Sequence, residues 1–323
     1  MALLSRIGTA LLTVAALAPQ AALAQSWPTK PLRLVVPFSP GGNTDSIARI
    51  GAEFLGKRLG VVVVVENKPG ANGAIAAESV ARAPSDGYTL FMATAPQMAV
   101  LPHLTKTPYD PIKDFDPVTI VASNVFAMAV GEAVPAKNLQ EFTALARAQA
   151  GKMAYASAGN GSVSHLSMAL FLSRAKVEMT HVSYKGGAPA LADVLAGHVP
   201  VYFANVAEVL PHIKSNRIRV LAVSGAKRVP QLPGVPTVAE SGYAGFQTNT
   251  WNGYAAPAKT PKAIVDRIAT EMAGIATDPD FIKRMDAIGV QVVCNKPAEM
   301  AAQLREDTAL WGQAVKISGA RLE

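Results

Sequence analysis

The sequence predicts an α/β protein of two lobes, joined by a hinge that the chain crosses twice, with a cleft between them. Three observations predict it. Short apolar or β-branched runs alternate with stretches of helical spacing, the pattern of a parallel sheet covered by helices. Proline-rich stretches interrupt that alternation at 96–117 and 229–245, and a strand-like run follows each, which gives two crossings. Finally, 323 residues, half of them hydrophobic, suffice for two cores rather than one. The predicted division is a leader over 1–24, a first lobe from 25–122 and 246–323, and a second lobe over 123–245.

The leader comes first. Arg6 precedes an apolar run from Ile7 to Leu17, Pro19 and Gln20 break it, and Ala22-Leu23-Ala24 offers small residues where a signal peptidase reads. The run falls short of the roughly 20 residues that span a bilayer. Cleavage after Ala24 leaves a mature chain starting at Gln25, exported to the periplasm. Cys294 is the single cysteine, so no internal disulfide forms and the core must supply the stability. It follows the strand-like Val290–Val293 and reads as a buried structural thiol. The formal charge of +7 falls to +6 once Arg6 leaves with the leader, and Lys and Arg are scattered. That excludes a basic patch for nucleic acid and leaves a diffuse field that modestly favours an anionic ligand.

The mature chain then reads as strand (32–38), helix (45–59), strand (61–66, fully buried by its β-branched content), helix (74–83) and strand (88–93). After the loop-rich 96–117, a long strand over 118–130 is the first crossing. A second α/β unit follows, with helices over 139–149, 163–175 and 188–195. Its strands lie at 153–156, 179–184, 199–204 and 217–224. Thr248–Ala256 recrosses, and helices over 261–275 and 297–317 complete the first lobe.

In open α/β sheets ligands sit at the carboxyl ends of strands beside helix starts. Three strand-to-helix turns have the composition for that. Phe38-Ser39-Pro40-Gly41-Gly42-Asn43-Thr44-Asp45 allows close backbone approach and presents free N–H groups with the positive end of a helix dipole, and Thr44 or Asp45 can cap the helix. Ser157-Ala158-Gly159-Asn160-Gly161-Ser162-Val163-Ser164-His165 repeats the design in the second lobe, with hydroxyls and amides that could grip the same ligand. Tyr184-Lys185-Gly186-Gly187 is the third. Ordinary tight turns have the same make-up, so composition alone leaves both readings open.

Other chemistries find little support. The second loop departs from a dinucleotide fingerprint at Ser164, no Gly-Lys-Ser/Thr follows, and no G-x-S-x-G is present. Ser162 and His165 are spaced to be neighbours, but no orienting carboxylate can be assigned. A capping Ser and a packing or hydrogen-bonding His fit better than a catalytic pair. His103, His165, His181, His198 and His212 lack metal-ligand spacing, and Pro111 and Pro117 break the acidic stretch Asp110, Asp114, Asp116. No cofactor and no metal are expected, and the protein is not expected to be an enzyme.

Taken together, PTKPLRLVVPFSPGGNTDSIAR, VVVENKPGANG, APSDGYTLFMATA, YDPIKDFDPVT, GKMAYASAGNGSVSHL, YKGGAPALADVLAGHV, LPGVPTVAESGYAGF and TWNGYAAPAKTP resemble the Bug-type solute receptors of tripartite tricarboxylate transporters, end to end after the leader. The resemblance implies a type II periplasmic-binding-protein fold that closes on a small carboxylate. The loop from Phe38 to Asp45 and the loop from Ser157 to Ser162 would hold that carboxylate, with Gly186 and Gly187 nearby. It adds Thr94, after the third strand, and Asn205, after Phe203-Ala204. Pro96-Gln97-Met98 departs from the polar residues usual there, at the distal end of the pocket. Phe126 and Trp251 offer aromatic faces or simple packing. The implied partners are the carboxylate solute and the membrane subunits of a tripartite transporter, with a sensor kinase as the alternative reader, a periplasmic hydrolase as a weaker one, and a monomeric receptor.

Overall fold

The computed structural model describes residues 27–213 and 217–321. The leader and its cleavage site lie outside the described residues. Strands and helices alternate from the start: β1 (Leu32–Val36), α1 (Asn43–Leu59), β2 (Val63–Asn67), α2 (Ala74–Ala81) and β3 (Thr89–Thr94). β1 lies between β2 and β3 and runs parallel to both. Parallel neighbours need helical crossovers, and α1 and α2 supply them.

Two expectations change here. The valine run 61–66 reads as fully buried, but β2 is the edge of the sheet, with Val62 64% and Val64 50% exposed. Valine favours a pleated strand and does not say which strand ends the sheet. The stretch after Pro96 is helical rather than loop. Pro96–Val100 forms one wide helical turn and α3 (Leu101–Leu104) follows. Pro96 and Pro102 each sit in the first turn of their segment, where the missing N–H costs nothing.

β4 (Phe115–Gly131) is the long strand that the sequence predicts, and it is the spine of the molecule. Its first part pairs with β9 (Asn249–Pro257). Its last part pairs with β7 (Val201–Asn205) and β8 (Ile218–Val223). Between these come α4 (Leu139–Ala148), β5 (Ala154–Ser157), α5 (Val163–Ala175), β6 (Thr180–Ser183), α6 (Gly187–Ala196) and α7 (Val206–Ile213). The chain ends with α8 (Lys262–Ile275), α9 (Pro279–Ala287), β10 (Gln291–Val292) and α10 (Pro297–Ser318). The sheet order is β2-β1-β3-β9-β4-β7-β5-β6, with β8 and β10 also on β4. β9 inserts antiparallel between β3 and β4, so the C-terminal part of the chain completes the N-terminal half of the sheet.

The core follows this division. One apolar cluster joins β1 and β3 to α1, α8 and α9 through Leu34, Ile47, Met272 and Phe281. A second lies under α6 and α7 with Val194, Val209 and Val223. The largest runs through both halves and holds Phe91, Phe126, Phe171, Trp251 and Trp311. Trp251 is a core residue whose Nε1 donates to Asp307 Oδ2 at 2.6 Å. Cys294 is buried, and burial pushes its thiol up to about 12. α10 packs against α5 and the wide turn, bridging the halves.

Candidate ligand-binding site

A cleft of about 430 Å³ opens where the halves of the sheet meet, a volume suited to a small molecule. Phe38, Asn72 and the wide turn with α3 line it from the N-terminal half. The 158–164 loop, Tyr202 and Asn205 line it from the other, and Phe126 of β4 and Thr250 of β9 complete the wall. Phe38, Gly159, Asn160, Gly161, Ser162 and Asn205, all named from the sequence, thus share one cavity. Phe126 is on its wall and Trp251 is not.

The α5 start is built with care. Ser162 is the N-cap, its Oγ accepting the His165 amide at 3.2 Å, as the sequence predicts. The His165 ring turns back so that Nδ1 accepts the Gly161 amide at 3.1 Å. Ala158 donates its amide to Ser164 Oγ, and Gly186 donates its own to Ala158 O, which ties the third glycine turn to the second. Behind the loop, His165 stacks on His181 with centroids 3.8 Å apart, and Tyr155 stacks on His181. Burial, helped by the facing His181, drives the His165 pKa down to about 4, so the ring is a neutral acceptor. Asn160 Nδ2 donates to Arg321 O, anchoring the loop to the residues after α10.

The remaining sequence-named residues lie around the cleft, not on its wall. Ser39, Gly41, Gly42 and Asn43 are exposed and Thr44 is half-buried. The N-cap of α1 is Gly42, with no side-chain cap, so neither Thr44 nor Asp45 caps that helix. Asp45 instead sits buried inside the first turn. Its carboxylate accepts from Gly41 N at 2.8 Å, Arg49 Nε at 2.9 Å and Asn67 Nδ2 at 2.9 Å. Burial opposes its charge, and these bonds outweigh it and hold the carboxyl below its usual range. Thr94 is buried at the end of β3 and donates to Gln97 Oε1. Ser157 is fully buried, 2.6 Å from His181 Nε2. Gly187 packs on Glu208, so closely that a Cβ there would stand 2.4 Å from Oε1.

Sequence reasoning missed Tyr202 and the aliphatic side chains of the wide turn and α3. The odd Pro96-Gln97-Met98 was the signal. Gln97 is 1% exposed, and its Nε2 donates to Asn72 O at 2.9 Å. Gly73, at φ +89°, clears room for it, since a Cβ there would come within 2.6–2.8 Å of the amide.

Three helix starts therefore differ electrostatically. A helix start carries free N–H groups and partial positive charge. Asp45 answers that charge at α1, and Glu208 lies against the α6 start. At α5, among the described residues, only the Ser162 hydroxyl and the neutral His165 ring do so, and Val163 and Ser164, the first residues of the helix, line the cleft. Among the described residues, no group of three or more His, Cys, Asp or Glu is placed to hold a metal ion. Ser162 and His165 are joined through a backbone amide rather than through the ring, so no activated hydroxyl results.

Comparison with known proteins gives consistent results. The model for "Tripartite tricarboxylate transporter family receptor" matches residues 47–319. The protein BugT of Bordetella pertussis is 32% identical over 323 residues, covering 99% of this chain and 98% of its own. The structure of R. palustris Rpa4515 with adipate is 35% identical, covers 92% of this chain and 100% of its own, and superposes with a TM-score of 0.79. MatC from Rhodopseudomonas palustris with bound malate is 31% identical over 90% of this chain and 100% of its own, with a TM-score of 0.74.

Proposed function

The chain belongs to the tripartite tricarboxylate transporter family of receptors, and on that premise we propose that it is a periplasmic solute-binding protein capturing a small carboxylate-bearing solute for such a transporter. The observation that supports this reading most is the α5 start. It is the helix terminus on the cleft that no acidic side chain among the described residues answers, so a ligand carboxylate takes that place. Adipate and malate, the acids in the two structural relatives, have that chemistry.

In this reading the carboxylate is held by the Val163 and Ser164 amides with Ser162, Asn160 and Asn205. Phe38 packs on it from the opposite side. The exposed Ser39, Gly41, Gly42, Asn43 and Thr44 complete the contact when the lobe of 25–122 and 246–323 rotates onto the lobe of 123–245. Asp45, Thr94, Ser157, Gly186 and Gly187 hold those loops in shape. The protein works by capture, as a monomer, without a cofactor or a chemical step. The closed form docks on the membrane subunits, and the leader is removed after Ala24.

Calorimetry of the folded protein against a panel of small mono- and dicarboxylates tests the reading. Saturable binding of at least one acid is expected. Folded protein that binds none of them overturns it. N-terminal sequencing of the exported protein is expected to begin at Gln25.

A further inference from the structure

Among the described residues, the lining of the cleft contains no Lys, Arg, His, Asp or Glu side chain. Its polar side chains gather mainly on one side, where Asn160, Ser162, Ser164 and Asn205 surround the α5 start, with Asn72 and Gln97 across the cleft and Thr250 on β9. The Asn205 Oδ1 is buried there without a hydrogen-bond partner. The opposite stretch presents carbon. Pro96, Val100, Leu101 and Leu104 come from one continuous segment, and Leu104 reaches so near the polar loop that a Cβ on Gly161 would touch it at 2.6 Å. Two amides lie on that side: Asn72, and Gln97, which is already held, donating to Asn72 O and accepting from Thr94 Oγ1.

A buried carboxylate requires donors or a cation around it. Among the described residues this cleft gathers a helix terminus and several donors at the α5 end, and sets no cation and little but carbon at the other. From this we infer that the ligand is a monocarboxylate whose remainder is uncharged and apolar, aliphatic or aromatic, and that the 96–104 segment excludes di- and tricarboxylates. The inference rests on the carboxylate reading above and narrows it. Phe38 and Phe126 add aromatic faces against which a chain or ring packs.

Calorimetry with matched acids provides the test: butanoate against succinate, hexanoate against adipate, and benzoate against terephthalate. Each pair keeps its carbon skeleton or ring and differs at the distal end. The monoacid is expected to bind at least tenfold more tightly in every pair that binds. A diacid that binds as tightly as its partner, or more tightly, overturns this inference and leaves the carboxylate reading standing. Absence of binding by every acid overturns both. Leu104→Arg places a cation on the carbon wall at a half-buried position. It is expected to bring the diacid to within tenfold of the monoacid. An unchanged ratio in a folded Leu104→Arg protein also counts against the inference.

Discussion

Lowering the pH from 7 to 5 is expected to destabilise the folded protein by about 2 kcal/mol through His165 alone. His165 is 3% exposed, stacked on His181, and held by the Gly161 amide donating to its Nδ1. Protonation destroys that acceptor and sets a positive charge against a second ring 3.8 Å away. The folded pKa is about 4 and the ordinary value 6.5. Between those values the unfolded chain takes up a proton that the folded chain refuses. Stability is therefore full above pH 6.5, falls as the pH falls through the window, and levels off below pH 4. At about 1.4 kcal/mol per pH unit, the loss is about 2 kcal/mol by pH 5 and about 3 kcal/mol by pH 4. Burial lowers His181 in the same direction. Asp45 weakens the fold only nearer pH 4, and the buried Glu208 and Asp307, whose carboxyls burial pushes up, act in the opposite sense, so the comparison with a His165 variant is what isolates His165. Urea unfolding of wild type and His165→Asn at both pH values measures the effect. The Asn Oδ1 stands where Nδ1 stood and does not titrate. The pH-dependent loss is expected to shrink by about 2 kcal/mol in His165→Asn. Equal pH dependence in the two proteins, or an NMR titration of His165 near 6.5, refutes the reasoning.

Three further outcomes are expected. Ser162→Ala removes the α5 cap, costing about 1 kcal/mol in denaturant unfolding, and weakens carboxylate binding about tenfold by calorimetry; a variant unchanged in both measurements misplaces the site. Trp251→Phe leaves Asp307, only 3% exposed, with one donor fewer, and thermal unfolding is expected to show a loss of about 1–3 kcal/mol. Cys294, with its thiol raised to about 12, is expected to resist a disulfide reagent at pH 8 in the native state and to react once denatured; rapid native labelling contradicts the burial.

Much of this architecture can be read from local chemistry. The predicted helix 163–175 coincides with α5, because Ser162 is a capping residue followed directly by apolar spacing. The long strand over 118–130 lies within β4 for the same kind of reason, a β-branched and apolar run interrupted only at Ser123 and Asn124. What failed depends on neighbours distant in sequence. Val62 and Val64 look like core until it is known that nothing pairs beyond β2. The segment 96–104 looks like loop because its prolines mask two short helical pieces. At the site, the glycine turns were legible as candidates. Their difference was not, since it depends on Asn67 and Arg49 meeting Asp45, and on α7 bringing Glu208 beneath Gly187. Tyr202 and the Thr94–Gln97 pair reach the cleft region only through sheet order, which no local pattern encodes.

The position of β9 has a consequence for when the molecule can fold. Phe91 pairs with Ala255, and Thr119 with Tyr254, so the gap between β3 and β4 stays empty until nearly the whole chain has emerged. Pairings this distant in sequence are slow to form, because the closing loop is long. A nascent chain therefore has no finished N-terminal half to lock up early. The last strands to arrive thus set the moment at which the cleft comes into being.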